Sequence, residues 1–327
     1  GSQPLRLVEL PIPVPSVNEV LIRISACGIC HTELDEIEGR TPPTYLPMVP
    51  GHQAVGRIVG LGEQVTEWSI GERVGVAWIF SACGRCDYCL SGRENLCEQF
   101  QATGRDCNGG YAELMCAKAS FVHRIPNELT DVEAAPLLCA GAIGYRSLRL
   151  TQLVDGQTLG LTGFGGSAHL VLKLARHQLP RSPVYVFARS KAEQAFAVEL
   201  GATWVGNTDE HSPILLDAII DTTPAWRPIV LALENLAPGG RLVINAIRKE
   251  STDQSELLRL NYAKHLWLEK EVKSVANVAR DDVRKFLSIA AGSSIRPTTC
   301  LYGLVDANQA LIELKTQSVV GAKVLML

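Results

Sequence analysis

The chain has 327 residues, of which 46% are hydrophobic and 20% are charged, and its formal net charge is −3. This balance is typical of a globular protein that is long enough for two domains. The charge excludes a polybasic surface for nucleic acids or anionic membranes, and no run of about 18 uninterrupted apolar residues predicts a membrane span.

Cysteine usage bears on the cellular compartment. Ten cysteines occur, several of them close to histidine or glycine, and no secretory signal is visible. In a reducing compartment, cysteines grouped in this way are expected to bind metal ions rather than to form disulfide bonds. We therefore expect a cytoplasmic protein whose partner is a small molecule, with neither nucleic acid nor membrane as a partner.

The first ~140 residues contain short β-like runs separated by proline and glycine. These runs lie at 19–25, 54–61 and 73–78. Short strands with frequent turn signals predict a partly open barrel or a sandwich.

Four cysteines lie close together in the run CGRCDYCLSGRENLC, with two, two and seven residues between them. This spacing allows all four thiolates to surround one ion, and zinc prefers such a tetrahedral set in structural sites. Two disulfides or an iron–sulfur cluster are the alternatives, and the spacing favours zinc. The predicted structural ligands are Cys83, Cys86, Cys89 and Cys97.

From about residue 155 the pattern changes to alternating strands and helices. We predict strands at 157–162, 183–188, 218–221 and 241–245, and helices at 168–177, 191–200 and 229–236. Such alternation predicts a parallel, doubly wound sheet. A last helix at 282–291 leads to a final strand at 322–327.

A glycine-rich turn follows the first strand of this region. Its residues fit the dinucleotide fingerprint, with alanine in the third glycine position. Because the turn lies between a strand and a helix, we interpret it as a site for the diphosphate of a dinucleotide. The predicted cofactor-binding residues of the turn are Gly163, Gly165, Gly166, Ser167 and Ala168.

The end of the second strand distinguishes between cofactors. NAD enzymes usually carry an acid there, which accepts a hydrogen bond from the ribose, but this chain has none. Arg189, Ser190 and Lys191 instead suit the 2′-phosphate of NADP. The alternative is that these residues form only a solvated helix start, so NADP is favoured and NAD remains possible.

A second set of residues that could bind a metal ion occurs in CHTE (30–33), in GHQ (51–53) and at Cys139. Two thiolates and one imidazole would leave the fourth position of a tetrahedral zinc open, as in catalytic sites. Each residue taken singly is more often a buried cysteine or a core histidine. The interpretation as a catalytic zinc site is therefore favoured only when this set is considered together with the four-cysteine run and the glycine-rich turn.

Along essentially its whole length, the chain resembles the zinc-dependent alcohol dehydrogenases of the medium-chain dehydrogenase/reductase family. The resemblance rests on the four-cysteine run, the glycine turn, CGICHTEL (27–34), PGHQAVGRI (50–58), NGGYAEL (108–114) and PLLCAG (136–141). It implies an α/β fold in which a GroES-like β-barrel catalytic domain is interrupted by a Rossmann domain with a doubly wound parallel sheet. The expected bounds are 1–140 for the first part with its zinc lobe at about 81–98, 141–278 for the Rossmann domain and 279–327 for the completing segment.

The resemblance also implies roles for particular residues. The catalytic zinc ligands of the family correspond to Cys30, His52 and Cys139. The relay hydroxyl corresponds to Thr32, and the acid that supports the histidine ligand corresponds to Glu33.

Two positions depart from the pattern of the family. Gln53 follows the ligand histidine, where the family usually has glutamate beside the zinc. Asp35 stands where a histidine often ends the proton relay, and an aspartate is a weak base near pH 7 unless burial raises its pKa. Trp78 corresponds to a residue that lines the substrate pocket, although a lone aromatic is more often simply core.

The resemblance predicts hydride transfer between an alcohol or aldehyde and a nicotinamide cofactor, with two zinc ions per chain. The alternatives are an aldehyde reductase that uses NADPH and a non-catalytic protein that binds zinc and a nucleotide. A homodimer or homotetramer is expected, with apolar stretches such as 241–247 and 301–304 as candidates for burial between subunits.

Overall fold

The structure is a computed structural model of the chain, and it describes residues 4–316 and 321–327. The described residues divide into two units. The first unit extends to Ala142 and resumes at Asn277, and the second spans Ile143–Ala276. The chain therefore returns, after the second unit, to the unit in which it began.

Most of the strands are short, as the frequent proline and glycine residues predict, and the longest has 11 residues. In chain order they are β1 (Glu19–Ile29), β2 (Ala54–Leu61), β3 (Arg73–Val76), β4 (Ile79–Ser81), β5 (Gln101–Ala102), β6 (Leu114–Lys118), β7 (Val122–Arg124), β8 (Leu159–Thr162), β9 (Val184–Phe187), β10 (Trp204–Gly206), β11 (Leu216–Asp221), β12 (Leu236–Ile244), β13 (Glu271–Ser274), β14 (Thr299–Gly303) and β15 (Ala322–Met326).

The longer helices are concentrated in the second half of the chain. The α-helices are α1 (His31–Ile37), α2 (Asp87–Leu90), α3 (Asp131–Pro136), α4 (Ala142–Thr151), α5 (Ala168–Gln178), α6 (Lys191–Glu199), α7 (Arg227–Asn235), α8 (Arg280–Ala291) and α9 (Ala307–Thr316). Within the described ranges, no helix is both long enough and apolar enough to cross a bilayer.

The first unit is built on a sheet with the strand order β14-β15-β1-β2-β3-β7, in which β6 also pairs with β1. All of these pairs are antiparallel except β14 with β15. In β1 the buried Val20, Ile22 and Ile24 alternate with the exposed Arg23, as expected of a strand with one face in a core. The path does not close on itself in the described residues, in agreement with the predicted partly open barrel.

The second unit contains a parallel sheet with the strand order β10-β9-β8-β11-β12-β13. Strands β8 and β9 are buried at every residue, because helices cover both faces of such a sheet. The order along the chain reverses between β8 and β11, which is the topological switch point of a dinucleotide-binding sheet. The predicted doubly wound parallel sheet is confirmed.

Several boundaries differ from the sequence prediction. The helix predicted to include residue 236 ends at Asn235, and Leu236 begins β12. The sequence did not predict β10, which has only three residues, or β13, whose residues are all exposed. Both are edge strands of the sheet, so neither requires the apolar run that identifies a central strand.

Candidate active site

Cys30, His52 and Cys139 lie together in the first unit. One potential ligand atom from each residue lies within 4.8 Å of those of the other two. The Cys30 Sγ and the His52 Nε2 are 3.7 Å apart. The structure therefore brings together three residues that are widely separated in the sequence.

Cys30 occupies the junction between β1 and α1. It is the N-cap of α1, and its Sγ accepts a hydrogen bond of 3.3 Å from the Thr32 N–H. The Glu33 carboxylate in turn accepts a hydrogen bond of 2.8 Å from the Cys30 N–H. This reciprocal capping box fixes the thiol at the start of the helix.

Cys139 lies in the irregular helical segment that follows α3. Leu137–Gly141 form a π-helical turn directly after Pro136, and α4 begins at the next residue. A π-helical turn changes the direction of the side chains that follow it and is frequent at functional sites. The local backbone thus places the Cys139 thiol beside Cys30.

Glu33 supports His52 from the side opposite Cys30. The Glu33 Oε1 lies 2.5 Å from the His52 Nδ1, and both side chains are almost completely buried. Although burial raises the pKa of Glu33, His52 outweighs this effect and holds the pKa below its usual value. The ionised carboxylate keeps a proton on Nδ1, so that Nε2 is available as a ligand.

The donor set fits a divalent metal ion. The neighbouring Cys139 thiol, followed by burial, raises the pKa of Cys30 well above its usual range. Protein groups alone therefore disfavour the thiolate, whereas a bound cation would stabilise it and displace the proton. Three ligands of this type, with one position left over, match catalytic zinc sites.

The two other predicted catalytic residues are in α1. Thr32 is buried in the first turn, next to the Cys30 ligand position. Asp35 is buried too, but its Oδ1 accepts a hydrogen bond of 2.6 Å from the Arg40 Nε. A proton-relay role for Asp35 would have to compete with this ion pair.

Gln53 lies directly beside the histidine ligand and is 2% exposed. Its side chain packs on Gly28, where a Cβ would lie 2.7 Å from the Gln53 Oε1. The Gln53 Nε2 has no hydrogen-bond partner among the described residues. A neutral amide therefore occupies a buried position where the family usually has a carboxylate.

Cys83, Cys86, Cys89 and Cys97 form the second ligand group, and their sulfur atoms lie within 4.8 Å of one another. All four are free thiols, so the alternative of two disulfides is not observed. Hydrogen bonds from the backbone at Arg85 and Cys86 lower the pKa of Cys83 to about 6. The Cys83 thiolate is therefore favoured at neutral pH, whereas burial raises the pKa of Cys89 to about 12, so a bound cation would have to stabilise the Cys89 thiolate.

The glycine turn joins β8 to α5 in the second unit. Gly163 has φ of +80°, a conformation that side-chain-bearing residues rarely adopt, and its N–H donates to the Phe187 carbonyl at 2.8 Å. Ser167 precedes the first helical residue, Ala168, and its Oγ lies 3.3 Å from the Asn245 Nδ2. The turn thus ends at a helix N-terminus beside the switch point, where anions bind.

The three residues expected to contact a 2′-phosphate differ in their surroundings. The Ser190 side chain caps α6 and accepts a hydrogen bond of 3.0 Å from the Glu193 N–H. The Lys191 Nζ donates to the Gln194 Oε1 at 3.0 Å. Arg189 is exposed, and its guanidinium makes no ion pair or hydrogen bond within the described residues.

Glu36 was not predicted to be functional, although it lies one helical turn after Glu33. It is 3% exposed, and neither of its carboxylate oxygens has a hydrogen-bond partner among the described residues. Burial, assisted by the charge of Glu33, raises the pKa of Glu36 to about 8. In the sequence, this environment was indicated by two acids three positions apart on a helix with a buried face, since that spacing places both side chains on the same face.

This shift predicts a pH-dependent stability. The pKa of Glu36 rises from 4.5 to about 8 on folding, so the folded state binds more protons between these values. The free energy of unfolding should therefore fall as pH rises through this window. At pH 9, in protein from which a chelator has removed the metal, Glu36→Gln should be more stable than the parent chain by about 2 kcal/mol or more.

Thermal unfolding of both proteins at pH 6 and pH 9 measures this difference. Glu38→Gln serves as the control, because Glu38 follows α1 and its carboxylate pairs with Lys315. Equal pH dependence of the Glu36→Gln variant and the parent chain would contradict the prediction.

Comparisons with known proteins agree with this architecture. Residues 16–127 match the family model of the alcohol dehydrogenase GroES-like domain. AdhA of Mycobacterium tuberculosis, described as a probable alcohol dehydrogenase, is 40% identical and is matched over 99% of this chain and 93% of its own length. An alcohol dehydrogenase of Geobacillus stearothermophilus is 31% identical over 99% of this chain and 96% of its own length.

Solved structures extend the likeness to the complete fold. A cinnamyl alcohol dehydrogenase of Sorghum bicolor superposes with a TM-score of 0.85 at 26% identity, covering 97% of this chain and 92% of its own. This likeness agrees with the open barrel sheet of the first unit, with the parallel sheet of the second unit and with the full-length similarity to the relatives. The chain belongs to the family of medium-chain, zinc-dependent alcohol dehydrogenases.

Proposed function

We propose that this chain transfers hydride reversibly between an alcohol–aldehyde pair and a nicotinamide cofactor, using a zinc ion held by Cys30, His52 and Cys139. The observation that carries this proposal is the Cys₂His set with its ligand atoms within 4.8 Å of one another. When bound, zinc would polarise the substrate oxygen, and the nicotinamide would exchange hydride with the adjacent carbon.

The residues of the chain supply positioning and proton transfer. Glu33 holds the His52 ring in the tautomer that leaves Nε2 available, and the capping box holds the Cys30 thiol. The Thr32 hydroxyl is proposed to exchange the proton of the substrate alcohol, since it lies in the same first turn of α1. We retain Asp35 as a candidate for the next proton acceptor, in competition with its pairing to Arg40.

A second, structural zinc is proposed for the lobe that contains Cys83, Cys86, Cys89 and Cys97. Its support is the group of four cysteine sulfur atoms that lie within 4.8 Å of one another. A reducing cytoplasm suits a chain whose ten cysteines are all free thiols. We expect elemental analysis of purified protein to give two zinc ions per chain.

A spectrophotometric screen tests the function. Primary alcohols and aldehydes are supplied with NAD(H) and NADP(H) separately, and cofactor absorbance is followed. Turnover with alcohols supports the proposal, whereas turnover confined to aldehydes with NADPH would indicate an aldehyde reductase. Binding of cofactor and two metals without any turnover would refute the enzymatic function and indicate a non-catalytic binder.

The preference for NADP is assigned mainly to Arg189. Replacing Arg189 by alanine should lower kcat/KM with NADP about five-fold and leave kcat/KM with NAD nearly unchanged, because an exposed ion pair contributes about 1 kcal/mol. Lys191→Ala is the matched control and should have a smaller effect, since Lys191 already contacts Gln194.

The double variant Ala188→Asp, Arg189→Ile extends the test. The new carboxylate could accept a hydrogen bond from the ribose of NAD, so the preference should shift toward NAD. A parent chain that already prefers NAD by about ten-fold or more would refute the phosphate-binding role of Arg189.

A homodimer or homotetramer is proposed through the sheet of the second unit. Within the candidate stretch 241–247, Leu242 and Val243 are already buried in the sheet of the second unit, whereas Ile247 is 50% exposed. The edge strand β13 is exposed instead, and it follows Trp267 and Leu268, which are 54% and 51% exposed. An exposed edge strand with neighbouring apolar side chains is suited to pairing with a second copy.

Sedimentation should therefore give a species of at least two 35.4-kDa chains at micromolar concentration. Val272→Lys in β13 should weaken the assembly, because it places a charge at the proposed interface. Val154→Lys, at another exposed position of the second unit, is the control. A parent chain that sediments as a monomer would contradict the proposal.

A further inference from the structure

His169 contacts the glycine turn through both its backbone and its side chain. It lies in the first turn of α5, and its side chain is completely buried. The His169 N–H donates to the Gly165 carbonyl at 3.2 Å, and the His169 Nδ1 lies 3.1 Å from the same oxygen. One carbonyl of the turn is therefore held by two groups of a single residue.

The surroundings determine the protonation of this imidazole. Because a carbonyl oxygen can only accept, the proton of the neutral ring must be on Nδ1. Burial lowers the pKa of His169 to about 4, so the ring is neutral at physiological pH. The ring packs near Phe196, with 5.9 Å between centroids, and Nε2 has no partner among the described residues.

The Gly165–Gly166 peptide is the part of the turn that this contact holds. Neither residue has a Cβ, so rotation of this peptide plane has little steric cost. Apart from the adjacent residues of the chain, a Cβ at Gly165 would meet no atom of the described residues within 4 Å, which leaves open space beside the turn. The lack of side chains therefore leaves room for a ligand close to the backbone, but it also makes this part of the backbone less rigid.

The direction of the Gly165 carbonyl determines the direction of the next N–H. In a trans peptide the C=O and the N–H point in opposite directions. Since His169 draws the Gly165 carbonyl toward the body of α5, the Gly166 N–H projects outward beyond the N-terminus of the helix, into the region where an anion would bind. We propose that His169 is a positioning residue that holds this peptide so that Gly166 N–H faces the diphosphate of the cofactor. This inference rests on the proposed dinucleotide site.

Binding of ADP-ribose tests the inference without involving the zinc site or turnover, because ADP-ribose contains the diphosphate and lacks the nicotinamide. His169→Leu removes the side-chain donor, whereas His169→Asn retains a donor close to the position of Nδ1. In calorimetry, the leucine variant should bind ADP-ribose about five- to ten-fold more weakly, which corresponds to one lost hydrogen bond. The asparagine variant should remain within about two-fold of the parent chain.

If His169 only stabilised the fold, replacing it would lower the unfolding temperature without changing the Kd of the folded protein for ADP-ribose. Phe196→Leu controls for this, since it loosens the packing around the ring and leaves the bond to Gly165 intact. If His169→Leu does not fold, His169→Phe retains a ring without a donor and takes its place.

The possible outcomes distinguish the positioning role of His169 from the proposed function with its dinucleotide site. A parent chain that binds ADP-ribose, with a donor-free variant of equal affinity, would overturn the role of His169 and leave the proposed function intact. Equal weakening in the leucine and asparagine variants would also overturn it, because the donor would then be irrelevant. A parent chain that binds neither ADP-ribose nor either nicotinamide cofactor would refute the dinucleotide site itself.

Discussion

Replacing Cys139 by serine is expected to lower kcat/KM by about 10³-fold or more, which is equivalent to about 4 kcal/mol of transition-state stabilisation. Serine has a nearly isosteric side chain, but its hydroxyl does not ionise near neutral pH and is a poor zinc ligand. Metal content should fall from two ions per chain to one. ADP-ribose affinity should be retained, because the glycine turn belongs to the other unit.

Cys116→Ser is the matched control for this substitution. Cys116 is a half-buried thiol in β6, outside both ligand groups, and burial raises its pKa to about 11. The control should retain both metals and nearly full activity. A Cys139→Ser variant that keeps two tightly bound metals and more than about a tenth of the parent activity would show that Cys139 is not a ligand.

The second large effect is expected for Cys89→Ser in the four-cysteine lobe. Metal binding at such a site contributes on the order of 10 kcal/mol or more of local folding free energy, so loss of one ligand should open the segment. Arg85 and Arg93 are exposed within it, and trypsin should then cleave after them at least about ten-fold faster. One zinc per chain should be lost, and the intact fraction should keep its kcat.

The lobe is also connected to the rest of its unit. The Glu94 Oε1 accepts hydrogen bonds of 2.9 Å from both the N–H and the Nε of Arg280 in α8. Opening of the lobe should therefore lower the melting temperature as well as accelerate cleavage. Cys300→Ser, at an exposed thiol outside both ligand groups, is the control. A Cys89→Ser variant with the parent melting temperature and protease resistance would contradict a structural role for this group.

Local patterns made much of this architecture predictable. The four cysteines of the lobe lie within fifteen consecutive residues, so their spacing alone indicates that one ion can bind them all. The apolar runs of β8, β9 and β11, each followed by a helix, likewise predict the parallel sheet. The glycine turn was recognisable because it lies between a predicted strand and a predicted helix.

Contacts between distant segments could not be derived in this way. Spacing does not indicate that Cys139 meets Cys30, and this expectation came from the family resemblance. The pairing of Asp35 with Arg40 depends on the turn after α1, and the raised pKa of Glu36 depends on burial from several sides. The buried bond between His169 and Gly165 was also invisible, since an apolar helix start gives no sign of it.

The return of the chain to its first unit has a consequence for biosynthesis. Strand β15 pairs with β1 through Ala26–Ile29, the end of β1 that leads directly into Cys30. At a translation rate of about 5–20 residues per second, this edge of β1 remains unpaired for roughly 15–60 s before β15 has been synthesised. Throughout that time it is open to pairing with other nascent chains. Among the described strands, β15 is synthesised after all the others, so the end of β1 that carries the first metal ligand acquires its second neighbour late in synthesis.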